Sequence, residues 1–329
     1  MSFKRLDPED FLVSIDSVTA TAWSTNSPTL TTFFTSSVTS TNDSYYKNVY
    51  QTASTVSGSA VQFAIAYGNL SGSGSANFND AVPGVSPTRT VYGQYRNLVY
   101  GSETAQFIFA TVTASDFWAI SIDRARYKEH LLKGTFNLQL KNGSSTLKLT
   151  DNSGMVSTDT YLDCGRVYQI ISGSNGTAYT GTGYSASSGS YGLFLPDIAT
   201  IILNPLALSQ SINLEPSRSS DADGLNISKL FTAISGAASF QINSEETVTS
   251  DYVFVRARNS EFNYSENPSF ISGSTGDVIY STFINSPQTY MTTVGFYNDT
   301  NDLLAVAKLS KPLTKDFTKE ALIRVKLDF

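Results

Sequence analysis

The sequence predicts a mainly β protein, built as antiparallel β-sandwich or barrel-like domains with a few short helices. Three observations carry this. Short runs rich in Val, Ile, Thr, Tyr and Phe alternate apolar and polar residues in period 2, as half-buried strands do. Polar turn clusters, one of them containing Asn-Gly, separate these runs. Polarity comes from neutral side chains: 47 Ser and 36 Thr make up a quarter of the 329 residues, and charged residues are only 15%, against about 25% in an ordinary soluble domain. With aromatics at 12%, a core is available, so disorder is unfavoured. A coiled coil would need a chain dominated by Ala, Glu, Lys, Leu and Arg.

The expected strands are Gln62–Tyr67, Phe107–Val112, Trp118–Ile122, Thr135–Leu140, Ser145–Thr150, Val167–Ile171, Tyr191–Leu195, Tyr252–Arg258, Thr292–Tyr297, Leu303–Leu309 and Leu322–Phe329. Thr135–Leu140 and Ser145–Thr150 flank Lys141-Asn142-Gly143-Ser144. Asn-Gly tolerates the positive φ angles of a type I′ turn, so a hairpin is expected there. Thr292–Tyr297 and Leu303–Leu309 flank the longer polar turn 298–302.

Expected helices are few. Asp7-Pro8 reads as a cap followed by proline at the first helical position. Ser86 and Pro87 open a helix over Pro87–Val99, and Asp123 opens one over Asp123–Leu132 with Gly134 beyond its end. Ser228–Ser235 and Thr318–Leu322 are weaker. Ser/Gly-rich stretches lie at Ser71–Ala76, Ser172–Tyr191 and Ser217–Gly224. The long one, 172–191, is expected to be a mobile surface loop, or a segment ordered only against a partner. The chain divides into an N-terminal β part over 1–115, a middle β domain over 116–250 and a C-terminal β module over 251–329. The two outer parts are free to pack together around the middle one.

The charge of −6 and pI near 4.9 exclude the basic footprint of a nucleic-acid binder. The N-terminus has no apolar segment of the secretory kind, and no apolar run approaches the roughly 18–20 residues needed to span a bilayer. The chain is therefore expected to be made in a cytoplasm, without membrane insertion.

Candidate chemistry is sparse. One cysteine and one histidine exclude a disulfide within the chain, a thiolate metal cage and any site needing two imidazoles. His130 reads as a cation at a helix end. Cys164 has Arg166 close in sequence, but an activated thiolate needs more than one nearby cation, so a buried structural thiol is expected. Asp221-Ala222-Asp223-Gly224 resembles the start of a calcium loop, yet the twelfth position is Thr232 and not the required Glu, so a polar turn is expected. Paired carboxylates are the one catalytic chemistry left open. The acids fall mostly in turns, at Asp80, Asp151, Asp221, Asp223, Asp299 and Asp302, and Glu245-Glu246 reads as a solvated loop pair. No catalytic, cofactor or metal residue is assigned, and no enzyme activity is expected.

Several segments carry a resemblance. Phe262-Asn263-Tyr264-Ser265-Glu266-Asn267-Pro268-Ser269-Phe270, then Gly295-Phe296-Tyr297-Asn298-Asp299, the tract 303–313 and the ending Phe317–Phe329 form a combination. It is similar to one in structural tail and baseplate proteins of contractile-tailed bacteriophages, especially large ones infecting cyanobacteria. Arg89–Asn97 and Ile122–Lys128 look like the same proteins. The resemblance implies a structural virion protein of the tail, most readily the baseplate, with other tail proteins or copies of itself as partners. It carries over no catalytic residue. A tail-fibre-like or carbohydrate-binding attachment module is the alternative, and a carboxylate-based glycosidase a more distant one.

Overall fold

The computed structural model describes residues 3–35, 45–74, 86–218 and 224–328. The chain is mainly β, with 44% of residues in strands and 15% helical. From the N-terminus come β1 (Phe11–Thr21), β2 (Thr29–Leu30), β3 (Phe34–Thr35), β4 (Tyr46–Tyr50), β5 (Val61–Asn69) and helix α1 (Pro87–Tyr100). Next are β6 (Phe107–Phe109), β7 (Val112–Ala114), β8 (Asp116–Ile122), β9 (His130–Leu131), β10 (Asn137–Asn142) and β11 (Ser145–Asp151). Then β12 (Thr160–Leu162), β13 (Gly165–Ser174), β14 (Thr177–Ala178), β15 (Gly192–Leu195) and β16 (Thr200–Leu203) lead into α2 (Pro205–Ile212) and α3 (Leu225–Ala237). The last elements are β17 (Phe240–Gln241), β18 (Asn243–Ala257), α4 (Thr282–Asn285), β19 (Thr289–Tyr297), β20 (Leu303–Lys315) and β21 (Ala321–Asp328).

The chain forms two compact units, one of residues 18–246 and one of residues 1–17 with 247–329. The boundary expected near residue 115 is not there. β5 and β8 pair across it, from Phe63 opposite Ile122 to Asn69 opposite Asp116. Only the first 17 residues belong with the C-terminal part, and the expected boundary at 250 lies instead at 246, inside β18.

The larger unit is built on an antiparallel sheet in the order β2-β17-β10-β11-β13-β15-β16-β8-β5-β4-β3, with β12 and β14 added on β13 and β6 and β7 as a separate pair, and the sheet curls into a half-barrel. Its central strands are buried on both faces, and period 2 sorts their side chains between two cores. Phe63, Ile65, Trp118, Ile120, Phe194, Ile201 and Leu203 enter one core, with Leu208 and Ile212 of α2 and Ile227, Leu230 and Ile234 of α3. Ala66, Phe117, Ala119, Leu193, Leu195 and Ile202 enter the other, with Val91, Tyr92 and Val99 of α1. Burying a Leu, Ile or Phe contributes about 1.5–3 kcal/mol. The helices thus exist to cover sheet faces that would otherwise meet water.

Local differences from expectation have physical causes. α1 starts at Pro87 and ends in Gly101 at φ 58°, but the Ser86 hydroxyl is buried without a hydrogen bond. The helix expected over Asp123–Leu132 is a single 3-10 turn, Arg124–Arg126, capped by Asp123. Leu131 is fully buried in β9, where His130 and Leu131 pair with Glu245 and Ser244. A helix of about ten residues is marginal alone, and strand pairing with burial outweighs it. Thr318–Leu322 likewise gives a turn and then β21. Phe107–Val112 is two short paired strands, because Ala110 at φ 56° turns the chain. In the β10–β11 hairpin Asn142 pairs with Ser145. The turn residues are therefore Gly143 and Ser144, of which only Gly143 has positive φ, the glycine-first arrangement of type II′. The Asn-Gly turn with both φ positive is Asn175-Gly176, at 50° and 78°, between β13 and β14.

Residues 172–191, expected to be mobile, are tied down. β13 continues to Ser174 and turns back through β14. Asn204, at the start of α2, donates from Nδ2 to the Ser188 and Ser190 carbonyls, both at 2.8 Å. Its Oδ1 accepts from Leu206 N at 3.0 Å, capping the helix. One side chain holds a loop and starts a helix. The other Ser/Gly stretches, 71–76 and 217–224, lie partly outside the described residues.

In the smaller unit β18 pairs with β21 from Ser250 opposite Asp328 to Ala257 opposite Ala321, and β1 lies on the other side of β18. Ala321, Ile323 and Val325 are buried on one face while Leu322, Arg324 and Lys326 are exposed on the other, the alternation expected for this strand. β19 and β20 form a separate two-stranded ribbon.

Two outcomes are expected. Asn204→Ala removes a helix cap, worth about 1 kcal/mol, and leaves two buried carbonyls short of a donor, at about 1–3 kcal/mol each. Limited proteolysis, which 172–191 should resist in the natural chain, should then begin there. Deleting Leu322–Phe329 removes two buried apolar side chains, Ile323 and Val325, at about 1.5–3 kcal/mol each, together with the partner of β18. Hydrogen exchange should show β18 residues 250–257 losing protection while β5 and β8 keep theirs.

Candidate assembly surface

The residues singled out from sequence are dispersed and structurally committed. His130 is in strand β9, not at a helix end. Its Nε2 lies 3.0 Å from Glu245 Oε2, and its side chain is 12% exposed. Glu245 and Glu246 are in β18 and not in a loop. Cys164 is half-buried. Burial first, then the Asp197 and Asp163 carboxylates, pushes its thiol up, away from thiolate chemistry. Arg166, its neighbour in sequence, is bound instead to Asp197, with Nε and Nη2 on one carboxylate oxygen at 3.0 and 2.5 Å.

Asp151 is fully buried at the end of β11. Its carboxylate accepts from Gly134 N at 2.9 Å and Ser153 N at 3.2 Å, fastening the turn before β10, and burial raises its pKa. Asp299 and Asp302 sit at the tip of the ribbon. There Asn298 Oδ1 accepts from Asp302 N at 2.7 Å, and Asp302 Oδ2 accepts from the Thr300 hydroxyl at 2.6 Å. Asp80, Asp221 and Asp223 lie outside the described residues. No group of three His, Cys, Asp or Glu side chains able to hold a metal occurs among the described residues. No helix among them is long and apolar enough to cross a membrane.

Two polar nodes absent from the sequence reading organise the two units. In the larger unit Asp116, nearly buried in β8, accepts from the Tyr67 hydroxyl and from Arg218 Nε, each at 2.9 Å. Burial first, then the Asp116 charge, pushes the Tyr67 phenol up. In the smaller unit Lys315, at the end of β20, is fully buried. Its Nζ donates to the Asn259 carbonyl and Asn263 Oδ1, both at 2.9 Å, and to the Asp316 carbonyl at 3.0 Å. All three ammonium hydrogens are used, as a buried cation demands. The Lys315 node joins β20 to the loop after β18, the segment that carries the Phe262–Phe270 motif.

The feature that stands out chemically is apolar surface. Among the described residues, 17 of 29 exposed large apolar side chains lie in the smaller unit, which holds 100 of the 329 residues. The same unit supplies only 6 of the 51 buried apolar residues. β1 exposes Phe11, Leu12, Val13 and Ile15, so both of its faces meet solvent. The ribbon exposes Tyr290, Leu303, Leu304, Val306 and Leu313. The period-2 pattern of β20 reads as a half-buried strand, yet within the chain the apolar Leu304 and Val306 remain open. A two-stranded ribbon alone is marginal in water.

No family model, no curated protein and no solved structure is significantly similar to the chain.

The Arg166–Asp197 pair gives a pH signature. Burial pushes the Asp197 carboxyl up, but the Arg166 side chain and backbone N–H pull it down further, leaving it below the ordinary carboxylate range. A carboxyl lowered in the folded state contributes stability that is complete above the unfolded value of about 3.9 and lost as pH falls through the folded value. Chemical denaturation of Asp197→Asn and of the natural chain should therefore differ most at neutral pH and converge below about pH 4.

Proposed function

We propose that this protein is a non-enzymatic structural component of a phage tail, placed in the baseplate and working through protein–protein interfaces. The observation that carries the assembly reading is the imbalance of the smaller unit: many exposed apolar side chains, few buried ones. A unit of about 100 residues ordinarily needs a core of its own, and a partner that covers β1 and the ribbon supplies the missing burial. The larger unit has two filled cores and needs no such cover. The composition supports the reading, since Ser, Thr and Tyr surfaces are less costly to desolvate at an interface than Lys or Glu, and Tyr is enriched at contacts. The phage and baseplate part rests on the sequence resemblance.

A second reading, host attachment through glycans, is favoured by one observation. A shallow groove of about 530 Å³ is lined by Ser172, Thr180, Thr182, Tyr184, Ser185 and Tyr191, with two glycines and no charged residue. Hydroxyls and tyrosine rings suit a neutral saccharide, but the groove is open and lacks a deep pocket.

Purified particles of the phage encoding this chain separate the two readings. Mass spectrometry of isolated tails and antibody labelling in electron micrographs should place it at the tail end. The isolated chain should bind tail proteins and not glycans. Absence from particles would refute the assembly reading, and glycan binding abolished by Tyr184→Ala would favour attachment.

A further inference from the structure

The exposed surfaces of the smaller unit differ in charge as well as being apolar. Residues 7–17, leading into and along β1, contain Asp7, Glu9, Asp10 and Asp16 and no Lys or Arg; of the two cations just before them, Lys4 is paired with Glu261 and Arg5 is exposed. The ribbon strands β19 and β20 contain Lys308, Lys311 and Lys315 and no acid, their acids Asp299 and Asp302 being confined to the turn. Lys315 is buried and satisfied, so Lys308 and Lys311 set the exposed charge. Asp7, Glu9, Lys308 and Lys311 are exposed, and none of them makes an ion pair among the described residues. The chain therefore displays an apolar surface flanked by acids and an apolar surface flanked by lysines; the Phe3 ring meets Tyr297 of β19 within the chain at 5.2 Å, but no ion pair among the described residues joins Asp7 or Glu9 to Lys308 or Lys311.

We infer that the occupant of these surfaces is a second copy of this chain, the ribbon of one copy packing against the N-terminal segment and β1 of the next. This rests on the assembly reading above and names the partner. Opposite charge at the rims selects register and raises the association rate, while the apolar centres supply the affinity. Like surfaces, ribbon on ribbon or β1 on β1, would bring like charges together and are disfavoured. The contact is reciprocal in a two-fold pair and serial in a ring, and both follow from the same two patches.

Sedimentation velocity of the full chain tests this. The natural chain should self-associate, less strongly as salt rises. Lys308→Glu with Lys311→Glu should weaken association about tenfold, and so should Asp7→Lys with Glu9→Lys. Both pairs lie on exposed positions, and circular dichroism checks that the folds are kept. Mixing the two double variants should restore association, because the glutamate ribbon of one meets the lysine segment of the other. A natural chain that stays monomeric, association indifferent to both reversals, or no recovery on mixing would overturn the copy-to-copy contact. A monomeric chain that is nonetheless found in particles would overturn this inference and leave the assembly reading standing.

Discussion

The fold of the larger unit depends on one aromatic seam. Phe63 is on β5, near one end of the sheet, and Phe240 is on β17, near the other. Their rings are 5.4 Å apart at 71°. Trp23 bridges them, with ring contacts of 6.2 and 4.9 Å, and its Nε1 donates to the Phe240 carbonyl at 2.9 Å. Strands far apart in sheet order meet only if the sheet curls, so this contact is what turns an open sheet into a half-barrel. Edge-to-face aromatic pairs add about 0.5–1.5 kcal/mol beyond their area, and Phe136 and Phe194 extend the cluster inward. α2 and α3 then fill the concave side.

Curling also settles where polar groups go. Central strands buried on both faces leave little room for unpaired hydroxyls or carboxylates, so several buried polar residues act as fasteners. Gln62 receives the Ser24 N–H and donates to Gln51 and Ala60; Asn204 holds a loop; Asp151 holds a turn. With so few charges in the sequence, each buried one is placed where several donors or acceptors converge, as satisfaction of buried groups requires.

The mainly β class was legible in the sequence because period 2 and β-branched runs are local properties. Strands buried on one face, such as β21, matched expectation closely. What escaped was decided by distant contacts. Residues 123–132 carry genuine helix signals, but Leu131 finds its burial beside Ser244, more than a hundred residues away. The 172–191 segment looks like a linker by composition, and side chains from outside it, Asn137, Thr150, Gln169 and Asn204, make it structured. The boundary expected at 115 had no local marker, and the fold pairs β5 with β8 across it. The node at Lys315 gave no signal at all, since a lysine ending an alternating strand reads as solvated.

The two units therefore solve the same problem differently. Residues 18–246 bury their apolar side chains within the chain, through a curled sheet and three helices. Residues 1–17 with 247–329 have strands of the same quality but no third layer. Layered packing is how β-rich domains are stabilised, so a unit with its layer missing is stable to the extent that something else provides one. The buried Lys315 sharpens the point. A fully buried cation held by three neutral oxygens, with no carboxylate among them, stabilises little by itself and fixes geometry strictly. It locks the ribbon to the loop after β18 and so holds β19 and β20 in one orientation with their apolar face open. The surface is thus fixed in geometry while it stays open within the chain.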